Sequence, residues 1–267
     1  MNIRASTRFC SPLIEAVTSL LGRHESLIPP RRLVDGIGRG NFQRIGQEFY
    51  RYFTEIGGLK PHHRVLDVGC GCGRMAIPMI PFLADEGVYY GFDIVPEAIK
   101  WTRKHIAAKY PRFHFELADI YNRIYNRTGA LAPSEYRFPY DDLFFDFTVL
   151  TSVFTHMLAD DMEHYLAEIA RTLKTGGRCM VSFFLLNSDV AANLSKGEST
   201  IDFKHPQSRC AIWKPDAPEA AVAYEEDFIR ECFAKYKLSI IEPVHYGSWP
   251  GRKKFLSYQD IILAVKD

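Results

Sequence analysis

Nine residues constrain this chain more than any others: Val65-Leu66-Asp67-Val68-Gly69-Cys70-Gly71-Cys72-Gly73. The apolar run reads as a buried strand with an acid, Asp67, at its end, and a G-x-G-x-G turn follows. The apolar stretch Met75 to Leu83 then reads as a helix. Glycine admits positive φ and removes the Cβ that would block a ligand. Such a turn also aims backbone N–H groups at whatever lies over the helix N-terminus. Strand, glycine turn and helix in this order make a cradle for a nucleotide-like cofactor at the C-terminal end of the first strand. The spacing departs from the dinucleotide fingerprint G-x-G-x-x-G. The third glycine comes one residue early, and Arg74 stands where it would be. A cofactor carrying an amino-acid group and no pyrophosphate suits this variant better. Glycine turns also occur for packing alone, so the surrounding chain has to decide.

Three further apolar runs follow. Val88-Tyr89-Tyr90-Gly91-Phe92-Asp93 ends in an acid 20 residues beyond Gly73. A carboxylate at the tip of a neighbouring strand can accept both hydroxyls of a ribose. Phe113-His114-Phe115-Glu116-Leu117-Ala118-Asp119 ends a third strand in an acid placed to reach a base. Phe145 to Leu150 forms a fourth, followed by Thr151-Ser152. Each Asp alone suits a turn or a helix cap. All three at strand ends, in one chain order, form a pattern that caps do not account for.

On these residues the chain resembles the class I S-adenosylmethionine (SAM)-dependent methyltransferases, over about residues 42–186. Val65 to Gly73 is similar to the family's first motif, Gly91-Phe92-Asp93-Ile94 to its second, and Leu117-Ala118-Asp119-Ile120 to its adenine-edge motif. The run from Phe145 through Thr151 to His156-Met157 resembles the strand-4 motif of the small-molecule branch. Leu166 to Gly177 resembles the helix and glycine turn before strand five. The resemblance implies roles. Gly69, Cys70 and Gly71 would pass under the methionine part, with Asp67 holding its ammonium, directly or through water. Asp93 would take the ribose hydroxyls with Ile94 beside it, Asp119 would accept from the adenine amino group, and Ile120 would pack on the ring. Thr151 would close the strand-four side. The implied fold is a doubly wound, Rossmann-like α/β domain. It has a seven-stranded, mostly parallel sheet with an antiparallel edge strand, helices on both faces, and an N-terminal helical extension.

Periodicity outside the motifs is consistent with that layout. Helices are expected over 42–56, 74–84, 96–109, 160–173 and 225–235, and strands five to seven over 178–185, 238–244 and 259–265. Pro78 and Pro81 shorten or bend the second helix, because proline lacks the N–H that a helix interior needs. Residues 1–41 are expected as a helical and loop extension, and 42–267 as the methyltransferase domain. Leu13, Ile14, Val17, Leu20 and Leu21 fall at helical spacing. Packing on the domain, a lid, or a homodimer contact are all open to that segment. Phe42, Gly46 and Tyr50 are candidates for the cofactor wall. Two long stretches, 121–141 and 187–224, and the loop 246–252 follow strand C-termini and are expected to bind the acceptor. They carry Tyr121, Tyr125, Tyr136, His205, Arg209, Trp213 and Trp249.

Composition narrows the partners. A net charge of +1 gives no global attraction to nucleic acid or acidic membranes. No run of 18 apolar residues marks a transmembrane segment, and the N-terminus lacks a secretory pattern, so a cytoplasmic location is expected. The six cysteines show no metal spacing and read as reduced thiols, so no metal is expected. His156, just beyond strand four, is the candidate general base. Its other reading is a histidine hydrogen-bonded to backbone. The segment after strand four lacks the Asn/Asp-Pro-Pro-Tyr motif of enzymes that methylate base amines. A small-molecule or glycan acceptor is therefore preferred, and nucleic acid is not expected. Protein or RNA methylation, a non-catalytic SAM-binding regulator, and an NAD-dependent oxidoreductase are the competing readings. The early third glycine counts against the last.

Overall fold

The structure is a computed structural model that describes residues 27–36 and 40–267. The expected helix at 12–22 lies outside the described residues. After a short helix α1 (Arg31–Gly36), helix α2 (Phe42–Arg51) begins at Asn41, whose side chain accepts from the Arg44 N–H at 2.8 Å. That bond satisfies one of the donors a helix start leaves without a partner. A π-helical turn (Tyr52–Ile56) continues α2 and completes the expected 42–56 segment.

The chain then alternates strand and helix. Strand β1 (Arg64–Val68) leads to α3 (Ala76–Met79), β2 (Val88–Asp93) to α4 (Pro96–Thr102), and β3 (Phe113–Leu117) to β4 (Phe145–Leu150). Helix α5 (Ala159–Thr172) precedes the long strand β5 (Leu173–Phe183). Helix α3 has only four residues where 74–84 was expected, in keeping with Pro78 and Pro81. A π-helical stretch, Arg103–Ala107, extends α4 and fills most of the expected 96–109 helix. The chain closes with α7 (Glu226–Lys235), β10 (Leu238–Ile240) and β11 (Asp260–Lys266).

The main sheet has seven strands in the order β10-β11-β5-β4-β1-β2-β3. Strands β1, β2, β3, β4 and β5 pair in parallel, while β11 pairs antiparallel with both β5 and β10. The antiparallel strand therefore lies one position in from the edge, and β10 forms the edge itself. Alternate residues of each strand enter separate apolar layers. Leu66 and Val68 of β1 join one core with Phe145 and Leu150, and Val65 joins the other with Phe147 and Val149. The strand order reverses between β1 and β4, each continuing parallel on its own side. In doubly wound sheets ligands bind outside the strand C-termini at such a switch point.

The 187–224 segment, expected as a long loop, is folded. β6 (Leu185–Leu186) leads into it, helix α6 (Ser188–Ser195) and strands β7 (His205–Pro206) and β8 (Cys210–Ile212) follow, and β9 (Val222–Glu225) closes it. These four strands form a second sheet, β6-β9-β8-β7. Its own apolar cluster includes Phe184, Val190, Phe203 and Trp249. Among the described residues no helix is long and apolar enough to cross a membrane.

Candidate functional site

A cavity of about 690 Å³ opens at the switch point. Gly69, Cys70 and Gly71 form its floor after β1. Asp93 and Ile94 come from the end of β2, Ile120 follows β3, and Thr151 and His156 follow β4. Eight of the expected site residues thus meet in one space, because parallel strands deliver their C-terminal turns to one edge of the sheet. A volume of this size suits a drug-sized ligand.

The glycine turn is built tightly. Gly69 has φ +75°, and a Cβ there would lie 2.3 Å from Val153 Cγ2. Gly46 of α2 meets the turn from above, where a Cβ would come within 2.5 Å of the Arg74 carbonyl oxygen. Gly46 is therefore a packing residue, not part of the wall. Phe42 faces the Arg74 guanidinium at 5.4 Å and Tyr50 packs on Phe82. The α2 residues that do line the cavity are Arg44, Ile45, Glu48 and Phe49.

Asp93 is the best-organised acid of the site. One oxygen accepts from the Gly71 N–H at 2.7 Å and the other from the Val95 N–H at 2.8 Å. Burial raises its pKa, and these N–H donors oppose the rise. Each carboxylate oxygen has a second lone pair for a further donor, so the group is fixed and still able to bind hydroxyls.

Two expected ligands lie elsewhere. Asp67 is fully buried and does not line the cavity. On β1 it shares a face with Val65, and there its carboxylate accepts the Tyr89 hydroxyl at 2.5 Å. The other oxygen, Oδ1, has no partner among the described residues. Burial pushes its pKa up to about 7. Asp119 is exposed and also outside the lining; its carboxylate accepts from the Ala130 N–H at 3.2 Å and closes a local turn. The strand-end rule locates both acids in sequence but does not fix which way their side chains point.

His156 lines the cavity and is also hydrogen-bonded to backbone. Its Nδ1 lies 2.8 Å from the Glu219 carbonyl oxygen. A carbonyl only accepts, so Nδ1 carries the proton and Nε2 keeps the lone pair. Burial lowers the imidazole pKa, which holds the ring neutral at neutral pH. Tyr125 packs edge-on against it with ring centroids 5.6 Å apart. From below, the fully buried Tyr224 donates its hydroxyl to the Phe154 and Met157 carbonyls, at 2.7 and 2.6 Å, on either side of His156.

A polar group at the floor has no forerunner in the sequence motifs. Ser152 has φ +60°, a left-handed conformation costing a non-glycine residue about 1–3 kcal/mol. Its N–H donates to Ser182 Oγ at 2.8 Å, and Gln259 Nε2 donates to its hydroxyl at 2.9 Å. Ser182 in turn donates to Gln259 Oε1 at 2.7 Å. Gln259 arrives because an antiparallel strand begins at the edge where the parallel strands end. Asp161, Tyr165, Glu219 and Tyr258 complete this side. The loop 246–252 does not reach the cavity. Trp249 is buried in the insertion and donates Nε1–H to Asp260 at 2.7 Å. His205, Arg209 and Trp213 also lie outside the lining. Among the described residues no cluster of His, Cys, Asp and Glu is arranged to hold a metal, and the described cysteines are buried free thiols.

Comparison with known families decides the class. Residues 59–221 match the model of a methyltransferase domain family. The chain belongs to this family. S-Adenosylmethionine is the cofactor that a methyltransferase domain implies. This chain is 23% identical over 136 residues to the tRNA N(3)-cytidine methyltransferase METTL2 of Gallus gallus, covering 51% of this chain and 34% of that protein. It is 34% identical over 67 residues to the aklanonic acid methyltransferase DauC of Streptomyces sp. (strain C5), covering 24% and 30%. The matches thus span about a third of these relatives' lengths. Magnesium protoporphyrin IX methyltransferase (ChlM) from Synechocystis PCC 6803, solved with bound SAH, shares the fold. Its TM-score is 0.52 at 15% identity, covering 96% of this chain and 95% of that one.

Proposed function

We propose that this methyltransferase transfers the methyl group of SAM to a hydroxyl, or an amine, of a small molecule or sugar. The single observation behind this is His156: a neutral imidazole in the cavity wall, held through Nδ1 by a carbonyl, with Nε2 free to accept a proton. The chain's residues fit the cofactor. Asp93 has lone pairs left for the ribose hydroxyls, and Ile94 and Ile120 offer apolar walls for the base. Arg44 lines the same cavity as the Gly69–Gly71 turn and is a cation for the methionine carboxylate. Bound SAM supplies a methyl already activated on sulfur, so the protein's task is placement and proton removal. The acceptor hydroxyl would take the methyl, with S-adenosylhomocysteine as the leaving group, and His156 Nε2 would receive the hydroxyl proton.

His156→Gln tests the assignment. General-base removal lowers turnover by roughly 10²- to 10⁴-fold, with SAM affinity held within about twofold, a margin well below one hydrogen bond. In the wild type, kcat/KM stays level through neutral pH. It falls only as the pH drops through a pKa below the usual histidine value of 6.5, since the base works unprotonated. Undiminished turnover in the variant excludes His156 as the base. The METTL2 match supports RNA as a second acceptor class. Against it, among the described residues Arg44 and Arg74 are the only Lys or Arg lining the cavity.

A further inference from the structure

The charge of the cavity wall carries information about the acceptor. At α2 and the glycine turn, Arg44 and Arg74 line the cavity, with Asp93 at the end of β2. On the side that follows β4, Asp161 and Glu219 line the cavity and, among the described residues, no Lys or Arg does; the cation Arg123 acts on Glu219 from outside the lining. His156 stands between them as a neutral ring, tied to the Glu219 backbone.

Both carboxylates are fixed. Asp161 accepts from the Ser134 N–H at 3.1 Å and Glu219 from the Arg123 N–H at 3.0 Å, each through one oxygen. These bonds also fasten the 121–135 loop, with Tyr125 on it, over the cavity. Glu219 keeps its second oxygen for another donor, while the Ser134 side chain also bonds the Asp161 carboxylate. Burial raises the pKa of both, and Asp161 adds to the rise at Glu219. A wall of this kind rejects a third negative charge and rewards neutral O–H donors. Aromatic rings line the same cavity: Tyr125 against His156, and Tyr121 and Tyr258, each 44% exposed. Flat rings next to fixed hydrogen-bond acceptors recognise a ring that is apolar on its faces and hydroxylated at its edge.

We propose that the acceptor is an uncharged sugar ring and that Asp161 and Glu219 determine this specificity. Two of its hydroxyls donate to the two carboxylates while a third delivers its proton to His156 Nε2. The proposal rests on the methyltransferase reading of the cavity and adds the charge class of the acceptor. It sets phosphorylated and carboxylated acceptors apart as excluded substrates.

The test uses the full chain, methyl-labelled SAM, and a panel of methyl glycosides of neutral hexoses, 6-deoxyhexoses and pentoses. Each is run beside its uronic acid or sugar phosphate. The expected result is kcat/KM at least about tenfold higher for a neutral sugar than for its anionic counterpart. Asp161→Asn and Glu219→Gln are then expected to narrow that ratio, because each removes a repelling charge and keeps a polar group of the same shape. A merely structural role would lower both members of a pair equally. SAM titration of the same samples separates the two readings. SAM binding with no turnover of any neutral sugar, or with equal turnover of the anionic partner, overturns the sugar assignment alone. Loss of SAM binding in the wild-type chain overturns the cofactor site itself.

Discussion

Asp67 shows how far one residue can be read from a motif. An acid before a glycine turn points to a ligand, yet period-two alternation along β1 turns this one toward Tyr89 and away from the cavity. Its role is energetic. The carboxyl has a pKa of about 7 in the folded chain against 3.8 as its ordinary value. Between those values the folded chain holds a proton that the unfolded chain has released, so stability falls as pH rises through that window. The expected penalty above it is on the order of 4 kcal/mol. Asp67→Asn keeps an acceptor for the Tyr89 hydroxyl and removes the charge. Urea denaturation is expected to find the variant more stable than wild type at pH 8, with the advantage vanishing near pH 4. An advantage that is the same at both pH values would show that Asp67 is not a buried titrating group. Asp93, one strand over, was legible from the same rule and does reach the cavity. There two backbone N–H groups after the turn fix the direction that sequence alone leaves open.

At the scale of elements, parallel strands were legible and short ones were not. Runs such as Val88 to Asp93 carry five or six apolar or terminal positions, enough to show a pattern. The strands of the insertion have two to four residues, too few for any periodicity to show. The insertion was therefore read as a loop, and its service to the site was missed. Tyr224 of β9 and Glu219 hold the turn that carries His156, from its backbone and from its ring. Asp260, at the start of β11, gathers the Leu185 N–H, the Gly247 N–H and the Trp249 indole and so locks the insertion to the main sheet. Tyr224→Phe removes the hydroxyl from both buried carbonyls and leaves the Phe154 carbonyl only the Met157 N–H as donor. It is expected to lower stability by about 1–3 kcal/mol and to reduce kcat several-fold, with SAM affinity unchanged. Denaturation and labelled-methyl transfer measure the two effects. Full activity in that variant would mean that the insertion does not position His156.

At the scale of the molecule, the fold divides the work. The β2 and β3 ends, with α2, line the part of the cavity proposed for SAM. The β4 end, the insertion and the antiparallel β11 line the part proposed for the acceptor, with His156, the two acids and the Ser152–Gln259 group. The first half follows the resemblance at Gly69, Cys70, Gly71, Asp93, Ile94 and Ile120, which local motifs mark, and departs from it at Asp67 and Asp119. The second is assembled from residues far apart in the chain, such as Ser152 and Gln259, that no local pattern connects. The whole account depends on SAM lying against Asp93 in this cavity. Calorimetric titration of wild type and Asp93→Ala with SAM tests that most directly. Each hydrogen bond to a charged group is worth about 1.5–3 kcal/mol. The variant is therefore expected to bind SAM at least roughly tenfold more weakly than a wild type that binds it well. Equal affinity in the two proteins would contradict the placement of the cofactor.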